Sequence, residues 1–143
     1  MLQMSKKTQY ATRSEFDLRR RSGRDLAETI VNRAVWLMPE DRALIHAVYR
    51  EGMTALATAE LRGESPRAVR RRIRRLVARV LSDPYTVVMR ERDHWPPTRR
   101  RVATACVLQG RPLRSASQHL KLSLHVVRRQ MDAVHALIEE DAS

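Results

Sequence analysis

From residue 24 onward apolar residues recur at helical spacing, and Leu26, Ile30, Val31, Ala34 and Leu37 fall along one side of a helical wheel. Ser22 stands where a cap would open that helix, and Pro39 where a proline would end it or begin the next. A second helix is expected from Pro39 to Glu51, burying Leu44, Ile45 and Val48, with Gly52 placed to take the left-handed conformation that stops it. Thr54 to Leu61 reads as a short third helix and Arg62-Gly63-Glu64 as a turn. Ser65-Pro66 then supplies a cap and a proline at the first helical position, where a missing N–H costs nothing, and a fourth helix follows to Leu81.

The pattern then repeats at an offset of 58 residues, with no gap. Pro39 matches Pro97, Gly52 matches Gly110, Ser65 matches Ser123, Val69 matches Val127, Arg70-Arg71 matches Arg128-Arg129, and Ile73 matches Met131. These positions set helix start, helix stop, cap and core contact, so what repeats is a structural unit. By the same offset Pro84 to His94 corresponds to the first helix, although Tyr85-Thr86-Val87-Val88 carries a β-prone run. The expectation is an all-α chain of two tandem helix-turn-helix units, each of about four helices. The divisions are a flexible basic arm over 1–22, a first unit over 23–82 and a second over 83–143.

Composition agrees with helices: 43% of residues are hydrophobic, 4% aromatic, and there are only 4 glycines. Charge adds a partner. The 28 Lys and Arg against 16 Asp and Glu leave +12, a field that attracts polyanions, and double-stranded nucleic acid is the natural one. No apolar run approaches the roughly 18 residues of a membrane span, and no helix pairs a Trp or Phe face with a Lys-rich one, so a membrane partner is not expected. The opening MLQMSKKTQYATRSEF has no secretory apolar stretch, and one cysteine cannot form an internal disulfide; both suit a cytoplasmic, nucleoid-associated protein.

The fourth helix of each unit has two faces. In the first unit Val69, Ile73, Leu76, Val77 and Val80 point inward, while Arg67, Arg71, Arg74, Arg75 and Ala78 point away, flanked by Arg70 and Arg72. In the second, Val127, Met131, Val134 and Ile138 face the core; His125, Arg129, Asp132, Ala133 and Ala136 face out, flanked by Arg128 and Gln130. An outward arginine fork can pair with the O6 and N7 edge of guanine or neutralise a phosphate, and a glutamine can read adenine. The candidates for reading bases are Arg67, Arg70, Arg71, His125, Arg128, Arg129 and Gln130, and those for phosphate are Arg72, Arg74, Arg75, Arg79, Arg111 and Arg114. The fourth helix of the first unit carries seven arginines and no acid between Ser65 and Leu81, which suits sequence-blind affinity. In the second, Asp132 is expected to restrain Arg128 four residues before it, and its more varied donors suit discrimination.

The stretch from Pro96 to Val134 resembles the promoter-reading fourth region of bacterial sigma factors and the related response-regulator helix-turn-helix domains. Pro97, Val102, Gly110, Leu113, Ala116, Leu120, Leu122, Ser123, Val127 and Arg128 fall where that family has its proline, core and cap residues. The first unit is similar, departing where Leu56 and Leu61 sit one step out of register with Leu113 and Leu120, and its turn reads one residue longer. The resemblance implies binding to promoter DNA and, as a second partner, RNA polymerase. The aromatic-bearing segment that a complete sigma factor uses to open a promoter is missing from the sequence.

Nothing in the chain reads as catalytic, and no cofactor is expected. His46, His94, His119, His125 and His135 lack metal-ligand spacing. Cys106 aligns with Val48 and reads as an inert core thiol, and Trp36 and Trp95, each just ahead of a matched proline, read as core plugs. The leading expectation is a sequence-specific transcription regulator of bacterial or phage type. A sigma-like module that grips RNA polymerase, and an accessory protein of DNA packaging or recombination, stand as alternatives. The sequence leaves the oligomeric state open.

Overall fold

A computed structural model describes residues 22–143; the basic arm expected over 1–22 lies almost wholly outside them. Among the described residues every regular element is helical, with no strand. Helix α1 covers residues 22–33 and tightens into a 3₁₀ turn at Ala34–Trp36. Then come α2 (Pro39–Ile45), widening into a π turn at His46–Arg50, α3 (Ala55–Arg62) and α4 (Pro66–Val80). The second half gives α5 (Asp83–Glu91) with a 3₁₀ turn at Arg92–His94, and α6 (Pro97–Ala103) with a π turn at Thr104–Leu108. It closes with α7 (Leu113–Leu120) and α8 (Leu124–Ala142).

The repeat extends to single hydrogen bonds. In the first unit Glu51 N–H donates to His46 O at 3.0 Å and Met53 N–H to Ala47 O at 2.9 Å; in the second, Gln109 donates to Thr104 and Arg111 to Ala105, both at 2.9 Å. These wide turns are closed by glycine at positive φ, +72° at Gly52 and +73° at Gly110, where a residue with a Cβ is strained. After α3 and α7 the left-handed position falls to Gly63 in one unit and to Lys121, at φ 56°, in the other. The turn before the last helix is therefore the same length in both units, correcting the expectation that the first is longer. The caps also agree: Ser65 Oγ accepts from Ala68 N–H at 3.2 Å and Ser123 Oγ from Val126 N–H at 3.1 Å, each worth about 1 kcal/mol to its helix.

One further expectation needs correcting. Ser22 is already helical and so does not cap α1. The offset expectation holds at Pro84: the β-prone run after it is helix, opened by Ser82 Oγ accepting from Tyr85 N–H at 3.4 Å, because Tyr85, Val87 and Val88 gain more by burial than β-branching costs. Trp36 and Trp95 both pack, half-buried, against the core, though from different register positions: Trp95 stands where buried Leu37 does and Trp36 where exposed His94 does. The register of α3 holds against its own leucines, which leaves Leu56 50% and Leu61 78% exposed.

The buried residues form one cluster running from Ile30 through Val80 and Tyr85 to Val134. In each unit the last helix packs on the two before it, α4 on α2 and α3 and α8 on α6 and α7. That packing turns one side of α4 and α8 inward and leaves the opposite side bare.

Candidate nucleic-acid interface

On α4, Val69, Ile73, Leu76 and Val80 are buried, as the wheel requires, and Val77 is half-buried. Arg67, Arg70, Arg71, Arg74 and Arg75 are all exposed, and none forms an ion pair with a carboxylate of the described residues. The face thus presents uncompensated guanidinium groups on a capped helix. On α8, Val127, Met131 and Val134 are buried and His125, Arg128 and Arg129 are exposed. Asp132 is exposed as well and makes no ion pair with Arg128, so the restraint expected there is not formed.

Other candidates are engaged within the fold. Arg72 donates Nε and Nη2 to one Asp41 oxygen at 2.9 and 2.6 Å, and that hydrogen bond holds its guanidinium above its ordinary pKa. Asp41 is only 13% exposed, so the charge of Arg72 is largely answered before any phosphate arrives. Arg79 lies across the boundary between the units, its Nη1 donating to Gln109 O at 3.3 Å and its guanidinium filling the space beside Gly110. Arg111 donates to Gln109 Oε1 at 3.0 Å and lies near Ser115, at the start of α7, while Arg114 on the same helix is exposed.

The position matching Arg72 is Gln130, and the one matching Asp41 is Arg99; here the polarity is reversed, with Arg99 Nε donating to Gln130 Oε1 at 3.2 Å. Gln130 is half-buried, and this bond directs its carbonyl oxygen toward α6. Arg99, placed at the flank of α8 in this way, was missed by sequence reasoning. The signal was available, since it stands 58 residues after Asp41, opposite the position of Gln130. Arg101 is a second unforeseen cation, donating Nη2 to Leu120 O at 3.1 Å beside the turn that leads into α8.

Cys106 is half-buried against the core, and burial pushes its thiol pKa up, away from reactivity. Among the described residues no cluster of three His, Cys, Asp or Glu side chains is placed to hold a metal ion, and no helix is long and apolar enough to cross a membrane. Comparison with protein-family models, with curated proteins and with solved structures gives no match in any of the three.

Proposed function

We propose that the chain binds double-stranded DNA through α4 and α8, as a sequence-specific regulator of transcription. The observation that carries this reading is the exposed row Arg67, Arg70, Arg71, Arg74 and Arg75, unpaired with any described carboxylate, on a helix whose cap and preceding turn recur in α8. A major groove about 12 Å wide admits a helix that stands clear of its domain, and an arginine fork there can meet phosphate or guanine. In this reading α4 provides most of the phosphate contacts. Arg128, Arg129 and His125 on α8 meet base edges, with Arg99 beside them on the backbone.

Binding of this kind releases condensed counterions, so log K falls against log salt by about 0.9 for each phosphate neutralised. Fluorescence anisotropy on a mixed-sequence duplex between 50 and 200 mM salt is expected to give a slope steeper than about −4 for the intact protein. A slope shallower than about −2 overturns the reading, because so few contacts cannot represent two docked helices.

A further inference from the structure

Beside the seam between the two units, where Trp36 of the first meets Arg92 of the second, lies a small cationic pocket whose charges the first unit does not repeat. It measures about 170 Å³ and is bounded by the 3₁₀ turn after α5, by α6 with its π turn, and by the end of α7. Arg92, Arg101 and His119 line it with Thr104, Gln109 and Leu120, and none of the described residues that line it is acidic. Arg79 and Arg111 bring two more guanidinium groups close, since both donate to Gln109, one to its backbone oxygen and the other to its side-chain oxygen.

Arg92 is held in a fixed orientation. Its guanidinium stacks 4.4 Å from the centroid of the Trp36 ring, and its Nε donates to Thr104 Oγ1 at 3.2 Å. Thr104 is itself fixed, its hydroxyl donating to Arg100 O at 2.8 Å. The carboxylate paired with Arg92 is that of Asp93, 3.1 Å from Nη1; with 76% of the Asp93 side chain exposed, water screens the pair and the charge is little reduced. Arg92 Nη2 has no partner among the described residues. Arg101 commits only Nη2, to Leu120 O at 3.1 Å, so its Nε and Nη1 are likewise without one.

The repeat supplies a control. Subtracting 58 from Arg92, Arg101 and His119 gives Ala34, Ala43 and Leu61, and Gln109 becomes Glu51. His46 and Arg62 stand for Thr104 and Leu120, and Arg62 is paired with Glu64 at 3.4 Å. The first unit thus keeps the same register with none of the three basic groups and with a carboxylate in place of the amide. The architecture of a unit does not require them, although Arg92 also serves the seam through Trp36. Size then narrows the ligand. Sites for drug-sized molecules begin at about 300 Å³, so this pocket suits one oxyanion and is too small for a nucleoside with it. Oriented guanidinium groups with free donors hold phosphate oxygens in pairs.

We infer that the pocket of Arg92, Arg101 and His119 is a binding site for a single phosphate group, with Arg92 and Arg101 as its principal donors. Two sources share this chemistry: a free phosphate ion, and a backbone phosphate of a duplex held by α8. The site itself does not rest on the DNA reading; only the second source does.

In the intact protein the arginine Nε–H resonances are followed by NMR while inorganic phosphate replaces chloride at constant ionic strength. Those of Arg92 and Arg101 are expected to shift and reach a plateau, and those of Arg71 and Arg74 to drift in proportion to the phosphate added. Arg101→Ala, which installs the residue of the first unit at an exposed position, is expected to raise the Arg92 midpoint about tenfold, as loss of a charged hydrogen-bond partner should. Arg74→Ala is expected to leave that midpoint unchanged. Either of two results overturns the inference: all four signals drift alike, or Arg101→Ala leaves the Arg92 curve where it was. Should Arg101→Ala lose helix content by circular dichroism, Arg101→Gln decides by the same outcomes. Repeating the titration with a mixed-sequence duplex bound separates the sources. An Arg92 signal already displaced and insensitive to phosphate assigns the site to the DNA backbone, and one that still titrates assigns it to the free ion. A protein that takes phosphate here but binds no duplex keeps the site and loses only the DNA reading.

Discussion

The Tyr85 ring has no exposed surface, yet its hydroxyl reaches the carbonyl of Arg33 on the helix of the other unit. Burial raises its pKa from 10.0 to about 12, against the lowering influence of Arg33 and Arg79. The neutral phenol is the form the folded chain accommodates. Its contribution to stability is therefore complete below pH 10 and drains away as the pH rises toward 12. Thermal melts are expected to show the midpoint falling over that interval, more steeply in the wild type than in Tyr85→Phe. At neutral pH the phenylalanine variant should itself lose about 1 kcal/mol, the net worth of one hydrogen bond. Equal alkaline slopes in the two proteins would assign the loss to other groups.

At the scale of the element, α3 and α7 show how a repeat overrides local pattern. Leucines are expected inward by type, but α3 keeps the register of α7, leaves Leu56 and Leu61 exposed and buries Thr58 and Ala59 instead. Thr54 fixes that register by accepting from Ala57 N–H at 3.0 Å, and Gly63 ends the helix at a left-handed residue. Replacing Leu61 by Gln is accordingly expected to change stability by less than about 0.5 kcal/mol in urea denaturation, and Leu44→Ala, in the core of the same unit, to cost about 2 to 5 kcal/mol. Caps, prolines and glycines were legible because they act locally: Ser65, Ser123, Gly52 and Gly110 each do what their type permits, and the inward faces of α4 and α8 follow from spacing alone. The tasks of Arg72 and Arg79 were not legible. Each depends on a partner about 30 residues away in the chain, Asp41 for one and Gln109 for the other, and helical periodicity carries no record of such pairs.

For the molecule as a whole, buried residues of both units belong to one cluster, and the seam adds polar contacts through Arg33, Tyr85 and Arg79. Scanning calorimetry is therefore expected to give one transition with matching calorimetric and van't Hoff enthalpies. Two resolved steps would mean that the seam is weaker than either unit. The shared core also bears on how the helices α4 and α8 are to be compared. A chain cut after Ser82 would part Tyr85 from Arg33 and Arg79 from Gln109, so point substitutions in the intact protein separate their contributions more cleanly than fragments.

The reversed polarity of the Asp41–Arg72 and Arg99–Gln130 contacts bears on ancestry and exchange. Two halves that repeat without a gap are open to unequal recombination, which copies one half over the other. An exchange that carried α4 into the second half would set the equivalent of Arg72 against Arg99, guanidinium facing guanidinium at the root of the helix. The opposite exchange would set the equivalent of Gln130 against Asp41 and leave a carboxylate without its cation. Either product loses a contact that its parent had, so a reversal at one pair of positions would help two duplicated halves to diverge without being homogenised.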